Sequence, residues 1–262
     1  FPKHDVRSVK EGALLPREER ESKIFYRWYP QKGGAQAFAE AFARKIHPQT
    51  LFVSKQAKRI SFEKRILYFR DGTKTSFDVL VNTIPLNEFV RMIEEAPSSV
   101  KAAARRLAYN SVVCFNYCVD REDITKDHWM YFPEKKFPFA RLYFLKNFSK
   151  NAGPKGKSIV SALIAHSAYK PLERNIEKKT REALFATGLV NRADRIDLIA
   201  RQDIRYGFAI PTLNLARDRG IIQTFLKKHQ VYSIGRYGNW EYSGIEHAIR
   251  DGKKIAGEVC EL

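Results

Sequence analysis

The spacing of apolar positions changes several times along the chain, and each change predicts a new element. Residues 1–24 show no steady period and contain Pro2 and Pro16, so they read as a polar lead-in, either a loop or a broken helix. Phe25–Pro30 is a short aromatic segment of extended type. Ala35, Phe38, Ala41, Phe42 and Ile46 then recur at helical spacing, predicting a helix over 35–46 with that stripe turned to the core. Short strands are expected at Leu51–Ser54, Ala57–Phe62 and Ile66–Phe69, the last running into the hairpin signal Asp71-Gly72. Phe77–Asn82 is almost continuously apolar, as a strand buried on both faces is, and Pro85 closes it. Amphipathic helices fit 86–95 and 98–107.

Alternation then dominates. Ser111–Val119 opens a second sheet, continued by strands over 128–132, 139–146 and 158–166 between Pro- and Gly-containing turns. Leu172, Ile176, Ala183 and Leu184 mark a helix over 171–187. Ile196–Tyr206 reads as a strand, 214–228 as a helix despite Gly220, Gln230–Ile234 as a strand and 244–260 as a last helix. No internal repeat is present. Most sheet connections are too short for helical crossovers, so the fold class expected is α+β with a mixed, mainly antiparallel sheet.

Composition allows a real core: 44% of the 262 residues are apolar and 13% aromatic. No apolar run reaches the ~18 residues of a membrane helix. The chain opens on Phe1 with no signal-peptide pattern, which reads as a fragment, a processed product or a trimmed chain. Cys114, Cys118 and Cys260 form no C-x-x-C pair, and on one strand Cys114 and Cys118 would stand about 13 Å apart. Reduced thiols in a cytoplasmic protein are therefore expected. The six histidines have no ligand spacing, so no metal site is expected. The net charge of +18 is spread along the chain with acids interleaved, which reads first as a solvated basic surface, with a missing acidic partner segment or a phosphate-bearing ligand as the alternatives. The aromatics of 128–148 have strand spacing, and core packing accounts for them better than nucleic-acid stacking does. No G-x-S-x-G elbow supports a hydrolase.

Val231–Ala256 is the stretch richest in chemistry. A short strand ends in Gly235-Arg236-Tyr237-Gly238, and an aromatic turn leads into a helix. Glycine at a strand end lets a ligand approach the backbone. Arginine offers a fork of donors to a phosphate, and a helix start offers unpaired N–H groups. The same residues also fit a plain structural reading. Ser243-x-x-Glu246 is a capping box, and Ile245, Ile249, Ala256 and Val259 are a core stripe. Glu246 and His247 point about 100° apart on a helix and do not form an acid–base pair.

The GRYGNWEY segment with its helix resembles the last FAD-contacting motif of the amine-oxidase, protoporphyrinogen-oxidase and UDP-galactopyranose-mutase superfamily. Three further stretches match in order. Tyr29–Gly34 resembles the YPKxGG segment, and Val81–Leu86 is similar to the strand end before a flavin-side helix. His128–Glu134 with Pro138–Arg141 and Asn147–Ser149 resembles the WxYFPE…PFYR…NYS region of mutase-like members.

The resemblance implies FAD as cofactor. Gly33 and Gly34 would pass near the isoalloxazine ring, and Gly235 and Arg236, within the motif that includes Tyr237 and Gly238, would contact the FAD diphosphate or ribityl region. Ile245 and Glu246 would bring backbone N–H groups to the flavin pyrimidine edge. It also implies a substrate site in which Arg141 and Tyr242 hold a phosphate and Trp129 belongs to the same region. Phe208 falls where mutases carry a phosphate-binding tyrosine, with Tyr206 nearby facing another way. Ala140 replaces an aromatic residue, and Ala57 falls where many members carry valine. No G-x-G-x-x-G turn is present within 1–262. The expectation is therefore a carboxyl-terminal part of such a protein, partnered by an amino-terminal FAD-binding segment.

The expected division is 1–24 lead-in, 25–86 part of a Rossmann-like FAD domain with a small β-meander, 87–210 substrate-binding domain and 211–262 return to the FAD domain. The expected function is part of an FAD-dependent oxidoreductase, with a nucleotide sugar as the small-molecule substrate. The alternatives are a flavin-dependent UDP-sugar mutase and a flavin-free module for a phosphorylated ligand. No catalytic residue is identified. Exposed apolar surface is expected near Ile234, Ile245 and Ile249.

Overall fold

Alternating burial along one long strand organises most of the molecule. The computed structural model describes residues 28–261. In β5 (Tyr109–Val119), Val113, Phe115, Tyr117 and Val119 are fully buried, while Cys114, Asn116 and Cys118 between them are half-buried. The period of two therefore gives this strand one covered face and one open face.

β5 lies inside a five-stranded sheet with β6 (Trp129–Tyr131), β7 (Arg141–Phe144), β8 (Ser158–His166) and β9 (Ile196–Ala209). The order is β6-β7-β8-β5-β9, and every neighbouring pair is antiparallel. Ile176, Ala183 and Leu184 of a helix at Ile176–Ala186 close the covered face, with Leu142, Phe144, Val160 and Ala162. A register shift near Asn116 and Tyr117 lets β9 keep both Leu198 and Ala200 opposite β5, leaving Ile199 between them.

A second core lies beside this sheet. β1 (Ala57–Ser61), β2 (Ile66–Phe69) and β3 (Lys74–Ser76) form an antiparallel meander. Its second turn uses Gly72 at φ 86° and Asp71, whose carboxylate accepts from Thr73 N at 3.0 Å. α2 (Leu86–Met92), α3 (Ser98–Arg106) and α5 (Leu215–Lys228) pack on the meander; the helix at Gln36–Ala43 is α1 and that at 176–186 is α4. Ile60, Leu86, Ala103, Ile222, Leu226 and Trp240 are the innermost residues. Arg106 joins α3 to α5 by a two-pronged contact with buried Asp218, at 2.7 and 2.9 Å. β4 (Leu80–Asn82) and β10 (Val231–Ser233) form a separate two-stranded parallel pair. The last helix is α6 (Ile245–Cys260). The architecture is thus α+β and mostly antiparallel.

Several sequence expectations change here. The helix expected over 35–46 is α1, and it buries none of its residues: Phe38, Phe42 and Ile46 are exposed. No described element packs over that stripe, so amphipathic spacing alone did not make it core. Leu51–Ser54 is not a strand. A 3₁₀ turn at Pro48–Thr50 precedes it, Ser54 has φ 61°, and Leu51, Phe52 and Val53 are exposed. The strand expected at Phe77–Asn82 shrinks to β4, with Val81 exposed, because its one described neighbour is three residues long. The strand expected over 139–146 ends at Phe144 in a helical turn, Leu145–Phe148. The helix expected from 171 starts at Ile176, beyond Pro171. Residues 1–27, which include the lead-in and Phe25–Arg27, lie outside the described residues, and Trp28–Pro30 has no regular structure. No helix among the described residues is long and apolar enough to cross a membrane.

Candidate functional site

The open face of the five-stranded sheet gathers one group of the expected residues. Tyr131 lies opposite Arg141 and Trp129 opposite Tyr143, so side-chain alternation puts all four on one face. Arg141 pairs onward with Leu163, which pairs with Cys114, and this assigns them to the face that α4 leaves open. The Arg141 guanidinium donates to the Tyr143 hydroxyl at 2.6 Å and to the Tyr131 hydroxyl, and it stands 4.2 Å from the Tyr131 ring centre. Among the described residues, no carboxylate lies within 4 Å of Arg141. Trp129 stacks on Phe148 with centroids 6.1 Å apart, and His128 and Tyr29 meet Phe148 edge-on at 5.0 and 4.7 Å. Ser149 Oγ and Asn151 Nδ2 donate to the Gln31 carbonyl at 2.7 and 2.9 Å. These contacts tie the segment that carries Gly33 and Gly34 (φ 78° and 60°) to the 128–151 region. Tyr131, Tyr143 and Phe148 were absent from the residues expected to bind. Their two-residue spacing from Trp129 and Arg141 was the available signal for the tyrosines. Beyond Phe148 opens a cavity of about 800 Å³ lined by Lys126, Lys150, Lys155 and Asn151.

The second group forms where β4 and β10 end. Asn82 Nδ2 donates to Ser233 Oγ at 2.7 Å, Ser233 Oγ donates to the Gly238 carbonyl at 2.7 Å, and Ile234 N donates to the Asn82 carbonyl at 2.9 Å. This latch holds two parallel strands with their carboxyl ends side by side, the place where open α/β sheets bind ligands. Gly235 has φ 74° and open space where a side chain would be, and its N–H donates to Asp251 of α6 at 3.1 Å. Gly238 is packed so closely that a Cβ would come within 2.8 Å of the Asn82 carbonyl oxygen.

Arg236 is the centre of this corner. It donates to the carbonyls of Ser243 at 2.8 Å and Gly207 at 3.4 Å, and its guanidinium stands 5.3 Å from the Phe208 ring and 4.9 Å from the Tyr242 ring. Phe208 and Tyr242 are stacked at 6.1 Å, and the Tyr237 hydroxyl donates to the Gly207 carbonyl at 3.1 Å. Five residues of the sequence motifs, Arg236, Tyr237, Gly238, Phe208 and Tyr242, therefore meet here.

The start of α6 departs from the capping-box expectation. Gly244 is the N-cap, no side chain caps the helix, and the Glu246 carboxylate pairs with Arg250 instead. The first-turn N–H groups, Glu246 among them, therefore have no side-chain cap. Of the expected apolar surface near Ile234, Ile245 and Ile249, the two residues of α6 are exposed while Ile234, at the end of β10, is half-buried; of α6 only Ile255 is buried.

Tyr206 faces away from Phe208. Its hydroxyl bonds to Glu88, and its ring lies 4.4 Å from Tyr109 and 6.0 Å from Trp240. Burial, with the hydrogen bond to Glu88, pushes the Tyr206 hydroxyl well above the ordinary tyrosine range. Burial works against ionised Glu88, but the Tyr206 bond and the nearby Arg91 and Arg205 outweigh it and hold Glu88 below its usual range. Burial also raises the Cys114 thiol on the open face. Cys114, Cys118 and Cys260 are all free, and among the described residues no three His, Cys, Asp or Glu side chains are placed to hold a metal.

A family model described as flavin containing amine oxidoreductase matches residues 5–191. Among solved structures, a reduced UDP-galactopyranose mutase matches with a TM-score of 0.85 and 24% identity, over 89% of this chain and 52% of that one. A redesigned putrescine oxidase matches at TM-score 0.65 and 13% identity, over 87% of this chain and 53% of that one. A CLA-producing fatty acid isomerase from P. acnes matches at TM-score 0.63 and 14% identity, over 86% and 52%. These are likenesses of fold, and the chain spans about half the length of the structures it matches.

Proposed function

This chain belongs to the flavin-containing amine oxidoreductase family, and from that premise we propose that it supplies the substrate face and one cofactor edge of an FAD-dependent enzyme that rearranges a nucleotide sugar. The observation that carries the substrate reading is the setting of Arg141. Its charge is held by two phenols, with no carboxylate among the described residues to neutralise it, on an open sheet face. Such a guanidinium is complementary to a diphosphate. Trp129 and Phe148 offer a flat apolar surface beside it for a base or sugar.

The strand-end corner fits a flavin cofactor on three grounds. Gly235 leaves open space where a side chain would stand, the first turn of α6 has no side-chain cap, and the Ser243 hydroxyl is buried without a partner. In this reading Gly235, Arg236, Tyr237, Gly238, Ile245 and Glu246 hold the cofactor, with Gly33 and Gly34 beside its ring. FAD, when bound, supplies the redox-active ring. The chain's own residues bind and orient: Arg141, with Tyr131 and Tyr143, fixes the diphosphate, and Tyr242 and Phe208 wall the space next to Arg236. The start of α6 favours negative charge on a ligand at that point.

The mutase reading is preferred to a net oxidation because the described face sets the Arg141 guanidinium between two tyrosine hydroxyls, and because the fold likeness at TM-score 0.85 is to a mutase. Phe208 favours the oxidoreductase reading, since an apolar ring stands where a phosphate-binding hydroxyl is expected. The experiment is to load the full-length protein with FAD, reduce it, and add UDP-galactose. Sugar rearrangement with no net consumption of reductant supports the mutase. Stoichiometric oxidation or reduction of substrate supports the oxidoreductase, and failure to retain flavin supports a flavin-free module. Arg141→Ala is expected to weaken UDP binding about 10- to 100-fold, the worth of a charge-assisted hydrogen bond.

A further inference from the structure

The cavity beyond Phe148 differs in chemistry from both clusters. It encloses about 800 Å³, the size of a small-molecule site. Phe148 is the one large apolar side chain on its walls, so an apolar occupant gains little there. Five lysines line it, against two carboxylates, Glu122 and Asp123.

One of those carboxylates is already occupied. Glu122 Oε1 accepts from Lys146 Nζ at 2.8 Å and from Gly156 N at 2.6 Å, and Lys146 Nζ also donates to the Pro154 carbonyl at 3.0 Å. Glu122 is thus a staple for the 149–157 loop. Lys157 pairs outside the lining, with Asp120 at 3.1 Å. Lys126, Lys150 and Lys155 are exposed, and none has a carboxylate within 4 Å among the described residues. Asp123 is the one carboxylate of the lining left to offset them.

The walls that carry these lysines are held in place. Asn147 Nδ2 donates to the Thr125 and Asp127 carbonyls at 2.7 and 2.6 Å, on either side of Lys126. Gly153 lies so close to β8 that a Cβ would stand 2.6 Å from Ile159 Cγ1. Gly156, at φ 79°, makes the turn that brings its N–H to Glu122. A cationic cavity on a backbone ordered before any ligand arrives is suited to an anion. Lysine charges are compact points, and three of them on two segments match an anion charged at more than one place.

We propose that this cavity binds a small anion carrying two or more phosphoryl groups, with Lys126, Lys150 and Lys155 as its cationic contacts. The inference goes beyond the functional reading above and depends on neither Arg141 nor a flavin. Two sources share this chemistry, a free oligophosphate and the phosphoryl groups of a nucleotide.

The test titrates the full-length protein calorimetrically with sodium tripolyphosphate and, separately, with UDP-galactose, at about 50 mM salt to keep screening low. Wild type is compared with three variants. The first combines Lys126→Ala, Lys150→Ala and Lys155→Ala. The second removes the same charge from exposed lysines elsewhere, by Lys58→Ala, Lys74→Ala and Lys253→Ala. The third is Arg141→Ala. The cavity variant is expected to bind tripolyphosphate about 10- to 100-fold more weakly than wild type, three charge-assisted contacts at an exposed site being lost. The other two variants are expected to stay within about 3-fold of wild type, since a distant charge acts only through a screened field. The cavity variant's melting temperature is expected to stay within about 1 °C, because all three side chains are exposed. A matching loss of UDP-galactose binding in the cavity variant identifies a nucleotide as the source, and unchanged UDP-galactose binding identifies a free oligophosphate. Absence of tripolyphosphate binding to wild type overturns the inference. So does an equal loss in the charge-matched variant, which marks net charge alone, or in Arg141→Ala, which places the anion on the sheet face. None of these outcomes bears on flavin retention, so this inference and the functional reading fail separately.

Discussion

Gly235 and Gly238 stand three positions apart and are glycine for different reasons. At Gly235 the constraint is the backbone, φ 74° with nothing nearby; at Gly238 it is space, because Asn82's carbonyl cannot move away without opening the β4–β10 latch. Gly235→Ala is expected to cost about 1–2 kcal/mol from the left-handed conformation. Gly238→Ala is expected to cost about 1–3 kcal/mol through crowding, and also to weaken the strand pairing. Urea midpoints compare the two, and amide exchange at Ile234 reports the pairing. Asp218 sets a different kind of expectation. The Arg106 hydrogen bond, against the cost of burial and with help from Arg217, holds its carboxyl below the usual range. A depressed folded value contributes stability above the unfolded value of about 4, and that contribution is lost as pH falls through the folded value. Asp218→Asn is therefore expected to unfold at lower urea than wild type at pH 7, with the gap narrowing below about pH 4. A gap constant from pH 7 to 3 counts against this. Single residues were unevenly legible. Strand spacing was enough to bring Arg141 and Tyr143 to one face, while the partnerless Ser243 oxygen depends on what packs around it, which no spacing rule reports.

Elements were most legible where both faces of a segment have a fixed environment. β8 was expected at 158–166 and is found there, because its inner face meets α4 and its neighbours fix the register. α1 had an equally regular stripe, yet a stripe states only that a face wants covering. β4 failed for a related reason, since a continuous apolar run does not tell how many neighbours will pair with it. α5 shows the reverse. Gly220 weakens the sequence signal in its middle, but the helix runs unbroken from Leu215 to Lys228 because Ile222 and Leu226 are buried in the second core. The space around Gly220 is open. Gly220→Ala is expected to stabilise by roughly 1 kcal/mol through helix propensity, raising the melting temperature by about 2–4 °C. FAD and UDP titrations should be unchanged, since the added methyl enters open space and touches neither cluster. A lower melting temperature would show that this glycine serves packing after all.

At the scale of the whole molecule, two well-filled cores support surfaces that are not finished. The core under the five-stranded sheet is closed by Phe115 and Tyr117 and the second core by Trp240, all fully buried. Against them stand Phe38, Phe42, Phe52, Val53, Ile245 and Ile249, each at least 40% exposed. Scattered apolar residues are normal on a surface, but these group on α1 with the segment after it, and on α6. The parallel pair of three-residue strands has no further strand beside it among the described residues. The net charge of +18 opposes association over the range of a Debye length, about 10 Å at 0.1 M salt. Screening removes that opposition and leaves the apolar patches. The 262-residue chain is therefore expected to be more monomeric in low salt and to self-associate as salt rises, the opposite of an assembly held by ion pairs. Light scattering from 20 to 500 mM salt measures it. Phe38→Lys with Phe42→Lys is expected to delay the onset while leaving the melting temperature within about 1 °C, because neither ring contributes to a core. If association weakens with salt instead, charge and not the uncovered faces of α1 and α6 governs how this chain meets others.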